Sequence, residues 1–124
     1  MFTRTVHECF LAKEYLPKCQ EKVKRNANII LLTSIALVLT ILDLYTSYIL
    51  ELRGYIEANP FMAYISTTYG LWMYISVNLL LSIFLITFLA WGSIKKLDGN
   101  YRYVPLLIFC VVRGAAVVNN VMLL

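Results

Sequence analysis

Apolar residues in this chain gather into three long runs separated by polar connections. The run 29–50 carries one charge, Asp43, the run 71–91 carries none, and the run 104–124 carries only Arg113. At about 1.5 Å per helical residue, each run reaches across a hydrocarbon layer about 30 Å thick. None alternates with a period of two, and each is far longer than a buried strand, which argues against a membrane barrel. The pattern predicts an all-α integral membrane protein with three transmembrane helices. Residues 1–28 form a cytoplasmic basic arm in this reading, and 29–124 the membrane domain.

Composition strengthens that reading. Hydrophobic residues make up 60% of the 124 and charged residues 15%, against about 45–50% and about 25% in an ordinary soluble domain. A chain this short has too little polar side-chain surface to coat a water-facing globule, so most of its exterior is expected to face lipid. Orientation follows from the basic residues outside the runs. Arg4, Lys13, Lys18, Lys22, Lys24 and Arg25 precede the first run, Lys95, Lys96 and Arg102 follow the second, and Arg53 alone follows the first. The positive-inside rule then predicts a multi-pass protein of the cell membrane with a cytoplasmic N-terminus and an external C-terminus. The net charge of +4 is accounted for by topology and anionic lipid, and no nucleic-acid partner is expected.

A cleavable signal peptide does not fit, because the first apolar run comes late and is too long for an h-region, so it is expected to remain as a signal anchor. In the arm, residues 2–16 fit a helix with Phe2, Val6, Cys9 and Phe10 on one side, interrupted at Pro17. That helix either lies at the inner headgroup layer or is a solvated arm that sets topology. On the external side, Glu57-Ala58-Asn59-Pro60 has a capping Asn before a Pro at the first helical position, which predicts a short interfacial helix over 60–70. A single helix running on from Pro60 to Trp91 is the competing description, disfavoured by Gly70. Phe61, Tyr64, Tyr69, Trp72 and Tyr74 make an expected aromatic belt at the outer interface.

The polar residues within the runs are the candidate chemistry. Thr33, Ala36, Thr40, Asp43 and Ser47 recur at intervals of three and four and so share one helical face. Cys110, Arg113, Val117 and Asn120 form a second stripe, with Gly114, Ala115 and Ala116 expected to allow close helix approach, and Tyr74, Asn78 and Ser82 form a third. An ionised side chain at mid-bilayer costs about 2.5–3.5 kcal/mol even on a lenient scale, so Asp43 must face other helices. Counted from the external ends, Asp43, Asn78, Asn119 and Asn120 fall in the outer half. Arg113 starts deeper by about 6 Å, a gap its long side chain crosses, so Asp43 and Arg113 are the expected pair.

The combination Asp43-x-x-Thr46, then Glu57-x-Asn59-Pro60, then a polar third span resembles a family of small, uncharacterised archaeal and bacterial membrane proteins. The resemblance covers 29–124. It implies a multi-span helical membrane domain with Asp43, Thr46, Glu57, Asn59 and Pro60 at its site of interest, and it brings no reaction or ligand. Glu57 and Asn59 would fold over the helix ends toward Asp43, or Asn59 and Pro60 would merely cap the next helix.

Other chemistry is thin. The three cysteines, Cys9, Cys19 and Cys110, predict no disulfide, and His7 with Cys9 and Cys19 lacks the spacing of a metal site. No phosphate loop, H-E-x-x-H helix or G-x-S-x-G turn occurs, and Ser47 and Ser82 have no His to activate them. No cofactor or metal is expected. Two functions fit: an accessory or assembly subunit that binds other membrane proteins, its polar cluster (Asp43, Thr46, Ser47, Asn78, Arg113, Asn119, Asn120) holding helices in register, or an oligomeric proton or ion transporter built on that cluster.

Overall fold

The computed structural model describes the backbone of residues 2–95 and 99–124, and the side chains of residues 16, 17, 20, 23–95 and 101–124. Among the described residues four α-helices follow one another: α1 (Phe2–Leu52), α2 (Pro60–Tyr69), α3 (Leu71–Lys95) and α4 (Val104–Leu123), with a 3-10 turn at Gly99–Tyr103 ahead of α4. Among the described residues, three segments are long and apolar enough to cross a membrane, Val23–Leu52, Leu71–Lys95 and Tyr101–Leu123. Each runs a few residues past its apolar run in the sequence, because helical hydrogen bonding continues into the polar flanks.

α1 does not stop at Pro17, contrary to the break expected there. Proline forfeits one backbone hydrogen bond and crowds the turn before it, a local cost. The Glu, Lys, Gln and Ala residues on both sides favour helix strongly enough to carry α1 across. The amphipathic face expected of Phe2, Val6, Cys9 and Phe10, and the His7, Cys9 and Cys19 group, lie outside the described side chains.

α1 ends through a glycine. Gly54 has φ +85, its N–H donates to Glu51 O at 2.9 Å, and the Tyr55 N–H reaches back to Leu50 O at 3.1 Å. The Gly54 bond satisfies a carbonyl the helix end would otherwise leave bare, Leu50 O accepts from Arg53 N at 3.0 Å as well, and the left-handed residue turns the chain out of the helix. α2 then starts as its sequence predicts: Asn59 Oδ1 accepts from Phe61 N at 3.1 Å, and Pro60 takes the first helical position. A second left-handed residue, Gly70 at φ +87, separates α2 from α3, so the single long helix from Pro60 is not formed.

α1 is the central helix. It packs most extensively on α4 and next on α3, whereas α3 and α4 touch each other only slightly. Ala36, Thr40, Ile86 and Leu106 are buried at these contacts, and Met62, Ile65 and Tyr74 seat α2 on α3. Only 11% to 28% of the most apolar stretches is buried inside the protein. The outward Ile41, Leu80, Phe84, Val111 and Met122 require hydrocarbon around them. Phe61, Tyr64, Tyr69 and Trp72 are exposed as the belt predicts, but Tyr74 is only 1% exposed and points inward. It cannot belong to the belt, because it sits on the α3 stripe with Asn78 and Ser82. Gly114 makes no close helix approach either: a Cβ there would meet nothing within 4 Å.

Candidate functional site

The three polar stripes meet at the end of the bundle that carries α2. Arg113 of α4 donates through Nη1 to Asp43 Oδ2 of α1, and through Nη2 to Ser82 Oγ and, at 3.3 Å, to Asn78 Oδ1 of α3. One guanidinium thus ties all three spans together, which its fork of five donors allows. Asp43 is 9% exposed at its side chain and Arg113 20%. The Arg113 guanidinium also lies over the Phe109 ring, 5.6 Å from its centroid.

Asn120 completes the network from α4. Its Nδ2 lies 3.2 Å from Asp43 Oδ1, 3.2 Å from Thr46 Oγ1 and 3.0 Å from Ser47 Oγ. Two amide protons are shared among three acceptors, all on one face of α1. Thr46 Oγ1 also donates within its own helix to Leu42 O at 2.9 Å. Both Asp43 oxygens and both Arg113 terminal nitrogens are therefore engaged inside the chain.

Above this floor lies a cavity of about 440 Å³. Asp43, Ser47, Asn78, Arg113, Asn119 and Asn120 line its depth, and Glu57 and Asn59 line its mouth. Thr46 and Pro60 are not part of the wall: Thr46 supports Asn120 from behind, and Pro60 starts α2. Asn119 is exposed on the cavity side.

Three side chains outside the seven-residue polar cluster matter here, two of them (Tyr74 and Ser82) from the α3 stripe. Tyr74 OH donates to Glu57 Oε2 at 3.0 Å, which joins the connection after α1 to α3, while Glu57 Oε1 accepts from Asn59 N at 3.2 Å. Glu51 lines the cavity and accepts from Ser66 Oγ of α2. Ser82 receives Arg113. Glu51 stands four residues beyond Ser47 and eight beyond Asp43, so the α1 stripe pointed to it. Ending the first span at Leu50 hid the signal by one residue.

The wall therefore holds three carboxylates, Asp43, Glu51 and Glu57, and one guanidinium, Arg113. Among the described residues Glu51 and Glu57 have neutral hydrogen-bond donors and no cationic partner. No three acidic, His or Cys side chains among the described residues come together closely enough to hold a metal ion.

The fold and site define a small helical protein with three membrane-spanning-type segments and a polar cavity at one end. The family described as Domain of unknown function (DUF5658) matches residues 34–124, and the chain belongs to it. That match takes in the cavity, all of α2 and the three polar stripes apart from Thr33, and leaves the arm 1–28 outside. No curated protein and no solved structure matches the chain.

Proposed function

We propose that this protein is a ligand-binding membrane protein whose site is the cavity between α1, α3 and α4, reached from the external face. The observation that carries the reading is the cavity itself: about 440 Å³ with acidic groups at its mouth, within the range of about 300–1,000 Å³ typical of small-molecule sites. The basic residues before α1 and between α3 and α4 favour a cytoplasmic placement for that side, which leaves the cavity mouth external. The arm 1–28 then serves topology and inner-leaflet attachment.

In this reading the Asp43–Arg113 pair is the floor and fastener of the site. Its groups already meet partners within one chain, so no second protein is needed to neutralise them. This weighs against assembly as the reason for the polar cluster. It also weighs against a proton relay through Asp43, whose carboxylate is held by Arg113 and Asn120.

External access is testable in cells. Asn119→Cys, placed in a background lacking Cys9, Cys19 and Cys110, is expected to react with a membrane-impermeant methanethiosulfonate added outside. Failure to react from either side of the membrane would remove the binding reading, because nothing dissolved in water could then reach the cavity.

A further inference from the structure

The cavity has two unlike sides. On one, Glu51 and Glu57 face the mouth with no cationic partner among the described residues. On the other, Leu81, Leu85 and Leu123 line the cavity and remain 51%, 43% and 45% exposed. These leucines belong to α3 and α4, the two spans that touch least. The lining that α3 and α4 contribute thus includes apolar side chains that reach the lipid-facing surface.

The ligand must suit both sides. A bare ion is too small, since about 440 Å³ is many times the roughly 30 Å³ share of one water. A metal ion lacks a gathered set of ligands. An anion finds no uncommitted guanidinium in the wall, because the terminal nitrogens of Arg113 are occupied by Asp43, Asn78 and Ser82. Resting on the binding role proposed above, we propose that the cavity takes an amphiphile with an ammonium head group, the head between Glu51 and Glu57 and the apolar chain leaving between α3 and α4 into the outer leaflet. The head exchanges hydration for two carboxylates, and the chain stays in hydrocarbon.

The test uses the full chain in nanodiscs with Asn119→Cys as reporter and Cys9, Cys19 and Cys110 replaced by Ser. Reaction rates with trimethylammonioethyl and sulfonatoethyl methanethiosulfonates are each divided by the rate with a free thiol in solution. The cationic reagent is expected to react faster by about tenfold or more. The ratio should fall toward one in Glu51→Gln/Glu57→Gln and part of the way in each single variant, since Gln keeps the side-chain shape. Dodecylammonium below its micelle concentration should slow the reaction. Dodecanoate and methylammonium at the same concentration should not.

A normalised ratio of one or below in the parent, or a ratio unchanged in the double variant, would overturn the charge assignment and the proposal with it. Equal protection by dodecanoate would do the same, and equal protection by methylammonium would overturn the amphiphile. No reaction with either reagent is a different failure, that of the binding role itself.

Discussion

Toward the end of the bundle away from α2, hydroxyl side chains of the spans bond within their own helices. Thr33, Ser34, Thr87 and Ser93 each donate to the carbonyl four residues earlier, at 2.8, 2.9, 2.8 and 2.8 Å. One side-chain contact crossing between helices there is weak, that of Cys110 Sγ with Leu32 O at 3.7 Å. At the α2 end the pattern reverses: Arg113, Asn120, Tyr74 and Ser66 all bond to other elements. A hydroxyl in a helix can satisfy itself on a local carbonyl, so it says little about its neighbours. A carboxylate, a guanidinium or an amide has more valences than its own helix can fill, and in hydrocarbon it must reach across. Within the apolar runs, the two ends thus differ in residue type before they differ in shape. The cavity lies where the groups that must reach across are concentrated.

Removing one member of the ion pair should break this contrast most severely. Asp43→Asn or Arg113→Gln leaves a poorly exposed charge without its counterpart, and each is expected to lower stability by about 3 kcal/mol or more. Reversible unfolding in mixed micelles measures it. In Asp43→Asn/Arg113→Gln the losses should fall short of additivity by about 0.5–3 kcal/mol. Strict additivity would mean that the two side chains contribute independently.

Asn120→Ala comes next. It removes the amide that joins α4 to Asp43, Thr46 and Ser47, and a loss of about 1–2 kcal/mol is expected in the same assay. A loss equal to that of Asp43→Asn would place the fastening in the amide instead of the ion pair.

How far these differences were readable beforehand depends on the kind of signal. Uninterrupted apolar runs made the three spans legible, since burying a charge in lipid is costly wherever it occurs. Spacing of three and four put Asp43 with Ser47, and Tyr74 with Asn78 and Ser82, on shared faces, and comparing depths brought Arg113 toward Asp43. What the pattern left out was direction around the neighbouring helix. Tyr74 was counted with the interfacial aromatics because its residue type fits both places, and its position on the α3 stripe decides in favour of the interior. Glu51 was lost because charge marked it as loop, although the helix runs on to Leu52. Gly114 suggested a close contact that small size permits without requiring. Pro17 suggested a break that the helix-favouring flanks override.

At the mouth, Tyr74→Phe should have a smaller effect, about 0.6 kcal/mol, the average for a side-chain hydrogen bond between membrane helices. The hydroxyl it deletes bonds to Glu57, and the freed carboxylate turns to water at the interface. A greater change is expected in access: with the connection no longer held to α3, the thiol of Asn119→Cys should react faster. Faster reaction with nearly unchanged stability would separate the closing of the mouth from the fastening of its floor.

The smallest effect sharpens the comparison from inside the α1 stripe itself. Thr40 stands one turn from Asp43 on the same face and is 0% exposed, so burial alone would rank the two alike. Its hydroxyl, however, donates at 2.8 Å to Ala36 O, a carbonyl that the helix already supplies with a backbone N–H. Thr40→Val keeps the branched shape and leaves no donor or acceptor bare, so its cost should stay within about 0.5 kcal/mol, measured alongside Asn120→Ala. A loss as large as that of Asn120→Ala would show that this hydroxyl acts across helices, and the division between self-satisfied and bridging groups would then fail at its most buried example.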